Sequence, residues 1–596
     1  MKECLAQRLE ALREVMSCDN LDAFIFPNTD PHNSEYVPDR WKGREWISGF
    51  NGSAGTAVVT MHSAALWTDS RYFIAAADQL SGTEFQLMKL KLEGTPTVSE
   101  WLGSALREVS SAQVGVDGMC NSAANVEVLV SDLRREGGIT VRTNLDPLDI
   151  VWTDRPQIPA SKVEIQPVEL AGETVASKLT RMRKARRDLQ ADGMLMSALD
   201  DVAWTLNLRG TDVHCTPVFV SYLLISTTSA TLYINKEKLT PEVEAHLESQ
   251  GVKMAGYDDV RKGIKEYAEY NILLDPNETN YTLSRLVDVQ EVIRHKSPIP
   301  AMKAIKNEAE IRGYRSAMLK DGIALVKFLR WLKPAVEAGG QTEISIDKKL
   351  TSLRAEQPLF RDISFDTIAG YGAHGAIVHY EATPETDIPL EPHGLLLLDS
   401  GAQYQDGTTD ITRTIALGPV SDYEKHIYTL VLKGHIQLEI CKFPSGASGT
   451  QMDILAREAM WREGLNYLHG TGHGVGSYLS VHEGPHQFRL EWMPAPFLEN
   501  MTVTDEPGIY LAGQFGVRIE NTLLISHYKD TEFGKFLQFE SLTLCPIDTT
   551  PVVKEELLPE EVAWLNEYHQ HVYDVLAPHL DDEGDKEWLR KATMPI

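Results

Sequence analysis

The sequence predicts two tandem α/β domains of one type, followed by a larger α+β domain. Three observations support this fold class: a diverged repeat in the first half, proline-marked segments at 154–169 and 295–310, and a new pattern beyond the second segment. The chain has 596 residues, enough for several domains that each bury a core of their own. The predicted domains are therefore 1–153, 154–300 and 301–596, the last with a C-terminal extension from about 530.

The first two domains share one order of elements. In the first, a helix precedes the strand LDAFIFPN, and a loop containing GREWISGF leads to the strands GTAVV and LWTDSRYF. In the second, a charged helix around 181–190 precedes DGMLMSALDDVAWTLNLRG, which is followed by YLLIS and TLYIN. The shared order of helix, strand, tryptophan-containing segment and two strands predicts that the second domain is a degenerate repeat of the first.

The third domain combines helical and strand patterns. Ile311, Tyr314 and Met318 recur at helical spacing, and we expect Pro334 with Gly339-Gly340 to help end this first helix. The runs LLLLD, TRTIAL, MTVTD and TLLIS predict strands. Further helices are predicted between the strands, at 422–442 and 450–465.

Charge and cysteine usage disfavour several classes of partner. The net charge is −28, from 57 basic and 85 acidic residues, which disfavours binding to nucleic acid or to an anionic membrane surface. No apolar run approaches the ~20 residues of a membrane span, and the first residues do not resemble a signal peptide. The six cysteines include no C-x-x-C pair, so we expect a reducing, cytoplasmic location rather than a disulfide framework.

Five residues of the third domain carry the strongest functional signal. They lie in the contexts LLLLDSGAQY, DGTTDITRT, HGTGHGVG, TVTDEPGIY and VRIENT, and are Asp399, Asp410, His473, Glu506 and Glu520. Four carboxylates and an imidazole exceed what one zinc ion needs, and they are too widely spaced for a calcium loop. The sequence therefore predicts two divalent metal ions held side by side in a folded core.

Local patterns place several of these side chains together. Asp399 ends an apolar run and Asp410 follows the turn at 405–407, so the two aspartates lie on opposite arms of a hairpin-like pair. Strand alternation directs Arg518 and Glu520 to one face, which makes Arg518 a candidate partner of the metal-binding carboxylates. The alternative for Arg518 and Glu520 is an ordinary exposed strand pair.

Two competing motifs fit less well. The glycines around His473 suggest a phosphate-binding loop, but G-x-G-x-x-G fails at Val475 and no P-loop lysine follows. The segment from His482 to His486 matches the zinc motif H-E-x-x-H, yet its Gly484-Pro485 disfavours the helix that this motif requires. We therefore expect neither site, and His482, like His379, stays open to a functional or a structural interpretation.

The five contexts, in this order and at this spacing, resemble the pita-bread metallopeptidases, which include methionine aminopeptidase, prolidase, aminopeptidase P and the metal-free creatinase. The segments GFNGSAGTAVV, WTDSRYF, DDVAWTLNLRG and WLNEYHQHV extend the resemblance over the whole chain, to the long three-domain cytosolic aminopeptidases P. The resemblance implies two creatinase-N-terminal-like α/β domains followed by a pita-bread catalytic domain.

The resemblance also implies roles for individual residues. Two metal ions would be bound, most often manganese, with cobalt or zinc as alternatives, by Asp399, Asp410, His473, Glu506 and Glu520. Asp410 and Glu520 would bridge the two ions, and Glu506 would also shuttle a proton. The histidines that would contact the substrate or relay protons are His379, His469 and His482. Tyr510 and Arg518 would line the substrate-binding region, and Arg71 is a weaker candidate that would reach a neighbouring subunit's site.

The implied activity is removal of the N-terminal residue from peptides whose second residue is proline, by water activated at the metal pair. The family is usually a homodimer. Prolidase, which cleaves only dipeptides, is the nearest alternative because it uses the same ligands, and the two N-terminal domains favour aminopeptidase P. A non-catalytic peptide-binding protein on the same fold is a second alternative, which the intact ligand set disfavours.

Overall fold

The computed structural model describes residues 2–267, 271–287 and 292–596. The chain divides into two compact units, Met1–Pro167 with Glu173–Ile299 and Val168–Gly172 with Pro300–Ile596. We call them the N-terminal unit and the C-terminal unit. The first two predicted domains thus share one compact unit, and the division at 299 and 300 falls within the second proline-marked segment.

The first domain of the N-terminal unit is a mixed sheet with flanking helices. Its strands are β1 (Ala23–Phe26), β2 (Thr56–Thr60), β3 (Ala64–Thr68), β4 (Phe85–Lys89), β5 (Gln113–Val116) and β6 (Thr140–Arg142). Their order is β4-β3-β2-β1-β5-β6; β2 is antiparallel to both neighbours and the other pairs are parallel. The helices are α1 (Lys2–Cys18), α2 (Gly43–Ser48), α3 (Phe73–Leu80), α4 (Val98–Ala105), α5 (Ala123–Gly137) and α6 (Leu148–Val151).

The second domain has the same strand order. Its strands are β7 (Glu164–Ile165), β8 (Gly193–Met196), β9 (Leu208–Arg209), β10 (Ser221–Ser226), β11 (Ala230–Ile234), β12 (Val252–Ala255), β13 (Ile272–Leu274) and β14 (Val292–Arg294). The sheet runs β12-β11-β10-β8-β13-β14 with the same pattern of parallel and antiparallel pairs, while β7 pairs with β9. This arrangement confirms the prediction of two tandem α/β domains.

Helices cover the second sheet and lead into the C-terminal unit. They are α7 (Val168–Ala171), α8 (Val175–Asp188), α9 (Leu199–Leu206), α10 (Pro241–Ser249), α11 (Val260–Lys265), α12 (Tyr281–Ser284) and α13 (Ile299–Ala304). The short helix α7 belongs to the C-terminal unit, although it begins at the end of the first proline-marked segment and the residues on both sides belong to the N-terminal unit. None of the described helices combines the length and the apolarity that crossing a bilayer requires.

The C-terminal unit opens with the long helix α14 (Glu308–Ala338), followed by α15 (Glu343–Ala355). The predicted apolar face is buried, with Tyr314 and Met318 in one cluster. The expectation that Pro334 helps to end the helix is wrong, because α14 continues to Ala338 and stops at Gly339, which has a φ of 83°. Burial of residues on both sides of the exposed Pro334 offsets the hydrogen bond that proline cannot donate.

The remaining elements form several small antiparallel sheets and a further set of helices. The strands are β15 (Phe360–Ile363), β16 (Ile368–Tyr371), β17 (Leu395–Ser400), β18 (Ala402–Tyr404), β19 (Gly407–Thr408), β20 (Ile411–Ala416), β21 (Lys442–Pro444), β22 (Gly472–Gly474), β23 (Glu483–Phe488), β24 (Thr502–Asp505), β25 (Gly508–Leu511), β26 (Phe515–Arg518), β27 (Asn521–Thr531) and β28 (Gly534–Ser541). The helices are α16 (Asp422–Glu439), α17 (Gly449–Trp461), α18 (Pro559–Leu576) and α19 (Glu583–Ala592). The four predicted strand runs are present as β17, β20, β24 and β27.

One apolar cluster fixes the position of the strands that carry the site. Val431 and Ile436 of α16 are fully buried together with Val517 and Ile519, which lie at the end of β26 and just beyond it. Apolar side chains at alternate strand positions leave the intervening residues, Arg518 and Glu520, to face the other way. Packing against α16 therefore sets where the polar face of these strands lies.

Candidate metal centre

Each predicted metal ligand lies in or beside a short strand. Asp399 lies in β17, Asp410 directly precedes β20, His473 is central in β22, Glu506 directly follows β24, and Glu520 lies between β26 and β27. Strands β17 and β20 are antiparallel neighbours, with Asp399 opposite Thr412, so the two aspartates do lie on adjacent arms. Five separate backbone segments thus converge on one place, and each supplies a single side chain.

Four of the five side chains form a tight group. Ligand atoms of Asp410, His473 and Glu520 all lie within 4.8 Å of one another. His473 Nε2 lies 3.4 Å from Asp410 Oδ2 and 3.5 Å from Glu506 Oε1. The structure therefore brings these residues together around a common centre.

Asp399 joins this group through Arg518 and Thr412. Arg518 Nη2 donates to Asp399 Oδ2 at 2.7 Å, while Asp399 Oδ1 is buried and has no hydrogen-bond partner among the described residues. Thr412 Oγ1 donates to Glu520 Oε2 at 2.8 Å and accepts from Arg518 Nε at 3.2 Å. Sequence reasoning predicted Arg518 as a carboxylate partner but missed Thr412. Thr412 could have been found from its position two residues after Asp410, because residues two apart on a strand face the same side.

The tautomer of His473 is fixed by the backbone. Its Nδ1 lies 2.8 Å from the carbonyl oxygen of Gly474, so Nδ1 carries the proton and donates it. Nε2 then points towards Asp410 and Glu506. A lone pair that faces carboxylate oxygens at about 3.5 Å is stable only if a cation, either a proton or a metal ion, lies between them.

Charge at the centre is strongly unbalanced without a cation. Burial raises the pKa of Glu506 to about 7, although His473 partly offsets this, and burial with the neighbouring Asp410 raises the pKa of Glu520 well above its usual range. Burial alone would lower the pKa of His473, but Asp410 and Glu506 outweigh it and raise this pKa to about 9. The centre therefore takes up protons when no metal ion neutralises its carboxylates.

The other predicted residues lie around this centre to different extents. The His482 ring lies 4.3 Å from the His473 ring, centroid to centroid. His469 Nε2 lies 2.8 Å from Tyr510 Oη, which accepts from Arg518 Nη1 at 2.7 Å. A continuous chain of polar contacts thus runs from His469 to Asp399.

His379 and Arg71 are placed less directly. His379 follows Val378, whose carbonyl oxygen accepts from Arg518 Nη2 at 3.3 Å, so the backbone at His379 runs beside the centre. Arg71 lies in the N-terminal unit, where its guanidinium donates to both carboxylate oxygens of Asp69, at 2.9 and 2.8 Å. The role predicted for Arg71 at a neighbouring subunit's site stays a prediction.

The segment that matches H-E-x-x-H has a structural role. Glu483 to Phe488 form strand β23, so the segment matching H-E-x-x-H is not helical, as predicted. Glu483 forms buried ion pairs with Lys306 and, at 3.9 Å, with Lys303. His486 Nε2 lies 2.7 Å from the Thr502 carbonyl oxygen. The segment therefore does not form a zinc site of the helical type.

The residues present fit a pair of divalent cations. Carboxylate oxygens and one imidazole nitrogen are hard or borderline ligands, and four carboxylates match the charge of two such ions. Asp399 Oδ1 is a buried oxygen that needs a positive partner, and the Nε2 atom of His473 needs one as well. Arg518 and Thr412 hold the carboxylates from behind, as outer-shell partners do in metal sites.

Comparison with family models divides the chain in the same way as the fold. Residues 8–144 and 154–310 each match a creatinase/prolidase N-terminal domain. Residues 312–527 match metallopeptidase family M24, and residues 535–596 match the C-terminal region of peptidase M24. All five clustered side chains fall within the M24 region.

Similar proteins match over the full length of the chain. Aminopeptidase P1 from Lotus japonicus is 39% identical over 658 aligned residues, and a probable Xaa-Pro aminopeptidase P from Aspergillus niger is 39% identical over 610, each covering 99% of both chains. The crystal structure of X-prolyl aminopeptidase from Caenorhabditis elegans, described as a cytosolic enzyme with a di-nuclear active site, has a TM-score of 0.95 and 34% identity over 99% of this chain and 100% of that one.

The fold and the centre define the class: a metallopeptidase domain of the M24 type that follows two creatinase/prolidase N-terminal domains. Within this class the chain belongs to the aminopeptidase P family, since relatives 39% identical match it from end to end. Xaa-Pro dipeptidase from Bacillus anthracis is more distant, with 26% identity, a TM-score of 0.50 and a match to only 63% of this chain.

Proposed function

We propose that this protein is a metal-dependent Xaa-Pro aminopeptidase, which releases the N-terminal residue from peptides with proline in the second position. The observation that carries the proposal is the extent of the relationship to aminopeptidases P. It includes both N-terminal domains together with a complete set of five ligands, whereas the B. anthracis dipeptidase matches only 63% of the chain. This extent favours an aminopeptidase over a prolidase, although the two share their metal chemistry.

The five clustered residues, Asp410 and Glu520 among them, would hold two divalent ions. When bound, such ions lower the pKa of water and polarise the scissile carbonyl group. Arg518 keeps Asp399 in place, and Thr412 keeps Glu520 in place, through the hydrogen bonds described above. His473 presents Nε2 because its Nδ1 proton is donated to Gly474.

Proton transfer is assigned to Glu506. Its carboxylate accepts a proton from the attacking water and delivers it to the proline nitrogen as the Xaa–Pro bond breaks. Glu506 suits this task because it lies among the ligands yet keeps a side chain that is 18% exposed, within reach of substrate. Protonation of the proline nitrogen is essential for its departure, because an unprotonated nitrogen would have to leave as a strongly basic anion.

Polar groups beside the ligands would position the peptide. His482, stacked edge-on against His473, is assigned to donate a hydrogen bond to the oxygen that becomes negative as water attacks. His379 is also assigned to contact the peptide, because the backbone next to it, at Val378, accepts a hydrogen bond from Arg518. The chain His469–Tyr510–Arg518 connects the substrate region to Asp399, so that groups touching the peptide and groups holding the ions form one network.

Three finer features complete the proposal. Manganese is the favoured ion because four of five ligands are carboxylates, with cobalt and zinc as alternatives. A cytoplasmic location is supported by the description of the C. elegans relative as cytosolic. A homodimer is proposed from the family resemblance, and sedimentation velocity at several protein concentrations would test it.

The proposal is tested by two peptides and one metal measurement. Protein loaded with Mn²⁺ is given a Xaa-Pro-Pro tripeptide and a Xaa-Pro dipeptide, and metal content per chain is measured in the same sample. We expect two ions per chain and release of the first residue from the tripeptide. Cleavage of the dipeptide alone would instead indicate a prolidase, and no hydrolysis at full occupancy would indicate a peptide-binding protein.

A further inference from the structure

A second group of titratable side chains lies behind the ligand strands, on the side of helix α16. It consists of His435, Glu439 and Asp505, each less than 5% exposed. His435 Nδ1 lies 3.2 Å from Asp505 Oδ2, and His435 Nε2 lies 3.2 Å from Glu439 Oε1. We call these three residues the α16 cluster. The mechanism described above does not use any of them.

The α16 cluster is connected to two metal ligands through their chain neighbours. Asp505 directly precedes Glu506, and its register partner across the β24–β27 ladder is Asn521, which directly follows Glu520. Asn521 Nδ2 donates to Glu439 Oε1 at 2.8 Å. Because successive strand residues point to opposite faces, Asp505 and Asn521 face α16 where Glu506 and Glu520 face the metal centre.

Further hydrogen bonds connect these residues to neighbouring strands. Glu439 Oε2 also accepts from Ser541 Oγ, which ties the carboxylate to strand β28. Arg413 Nη2 donates to Asn521 Oδ1 at 2.8 Å, and its Nη1 donates to the carbonyl oxygen of Glu520 at 2.6 Å. The backbone on either side of Glu520 is therefore held by groups on three different elements.

One ligand atom from each of the three residues lies within 4.8 Å of the others, so a metal ion is the alternative occupant that the contacts must decide against. Asp505 and Glu439 contact different nitrogens of one imidazole ring, whereas a single metal ion binds only one ring nitrogen. Glu439 already accepts from two donors. Neither ring nitrogen of His435 forms a hydrogen bond with a described residue, so the imidazole acts by lying between two buried carboxylates, which would otherwise repel each other in a medium of low dielectric constant.

We propose that His435 is a positioning residue for the metal pair: by lying between Asp505 and Glu439 it fixes the backbone at Glu506 and Glu520. This inference rests on the proposed function, because it assumes that Glu506 and Glu520 bind the ions. His435 touches neither substrate nor metal and acts only through the residues beside the ligands. Without it, the two buried carboxylates move apart, and the adjoining ligands lose their fixed separation.

The test measures metal affinity and the electronic spectrum of the Co²⁺-loaded protein. Outer-shell substitutions in metal sites typically weaken metal binding 10- to 100-fold, and we expect a loss in this range for His435→Ala in competition with a chelator. The visible absorption bands of bound Co²⁺ should shift, since they report ligand geometry. If His435→Ala does not fold, Glu439→Gln, which keeps the side-chain shape, should weaken binding about tenfold, at the lower end of that range.

The matched control is Ile436→Val, at the neighbouring position of α16. Ile436 is fully buried in the apolar cluster and forms none of the polar contacts of the α16 cluster. This variant should therefore lower thermal stability without changing metal affinity or the Co²⁺ spectrum. Wild-type affinity and spectrum in folded His435→Ala would overturn the proposal. Three ions per wild-type chain, falling to two in His435→Ala, would also overturn it and make the α16 cluster a metal site.

Failure of the proposed function would give a different result from failure of the proposal for His435. Fully loaded wild-type protein would then release no residue from a Xaa-Pro-Pro peptide, whatever the affinity comparison shows. The affinity and spectral measurements need only Co²⁺ or Mn²⁺, and no peptide, so the two outcomes are independent.

Discussion

Two histidines, one in each compact unit, lie among very different partners. In the N-terminal unit, His32 is 2% exposed, with Nδ1 2.9 Å from the Ser197 carbonyl oxygen and Nε2 2.9 Å from Tyr257 Oη. Burial lowers the pKa of His32, so the ring is neutral. In the C-terminal unit, the carboxylates of Asp410 and Glu506 overcome burial and raise the pKa of His473 to about 9.

The difference separates a structural histidine from a functional one. His32 has one donor and one acceptor that match its two ring nitrogens, so its surroundings need nothing more. His473 turns Nε2 towards two carboxylates, and that arrangement needs a cation there, a proton in the metal-free protein or a metal ion in its place. The same residue type therefore indicates a metal site only where the neighbouring charges are of one sign and unbalanced.

The largest expected effect comes from removing one ligand charge at the metal centre. Asp410→Asn keeps the shape but not the charge, and we expect turnover of a Xaa-Pro-Pro peptide to fall at least about 10³-fold, or about 4 kcal/mol. The measurement is kcat together with metal content per chain. The matched control in the N-terminal unit is Asp212→Asn, which breaks the buried ion pair with Lys238. It should cost stability, while the folded fraction keeps wild-type kcat.

Retention of kcat within tenfold in Asp410→Asn would refute the assignment of this carboxylate to the metal pair. Loss of kcat in correctly folded Asp212→Asn would refute the contrast between the two units. Both variants remove one buried negative charge, so the comparison isolates what that charge does in each place.

The second effect is the response to metal removal. Ions bound at 1,000 times their dissociation constant stabilise the folded state by about 4 kcal/mol, and a chelator removes that contribution. Hydrogen exchange should therefore accelerate in β17, β20 and β24, and stay unchanged in β1 and β8. Equal acceleration in both units, or no change in either, would contradict a centre confined to the C-terminal unit.

The elements of the site could be predicted from sequence because each ligand adjoins a clear local pattern. An apolar run ending in a charged residue predicted β17, the run MTVTD predicted β24, and alternation placed Arg518 with Glu520. Thr412 was missed because a threonine in a strand carries no distinctive signal. Continuation of α14 through Pro334 was missed because tertiary packing decided it.

The α16 cluster could not be predicted for a different reason. His435 and Glu439 are one helical turn apart, a spacing that usually means an exposed pair, and Asp505 is remote in sequence. Only the packing of α16 against β24 brings the three together. Local patterns thus identify ligands that end strands, whereas the groups that hold those ligands from behind depend on long-range packing.

The third effect is the pH dependence of metal binding. Metal-free His473 has a pKa raised to about 9, and it must lose that proton to bind a metal ion. Affinity should therefore rise with pH from 7 to 9, by up to about tenfold per pH unit and about 100-fold in total, and then level off. Below pH 7 a second dependence appears, because burial raises the pKa of Glu506 to about 7.

Calorimetry in two buffers of different ionisation enthalpy measures the proton released on binding at each pH. At least about one proton should leave per chain near pH 8, from His473, and more near pH 6, where Glu506 also releases a proton; Glu520, whose pKa burial raises well above its usual range, adds to this release. No proton release at pH 8 would mean that His473 is already unprotonated in the metal-free protein, and would remove the electrostatic contrast with His32.

The smallest effect is expected in the N-terminal unit, from His32→Gln. Glutamine cannot reproduce both contacts of the ring, so either the Ser197 carbonyl or the Tyr257 hydroxyl loses its partner. An unsatisfied buried group costs about 1–3 kcal/mol, which urea unfolding should detect, while metal content and kcat should not change. The control is His62→Gln in an exposed turn, expected within about 0.5 kcal/mol of wild type. A fall in the metal content of His32→Gln would show that the N-terminal unit contributes to the metal centre. It would refute the conclusion that His32 is structural and His473 functional.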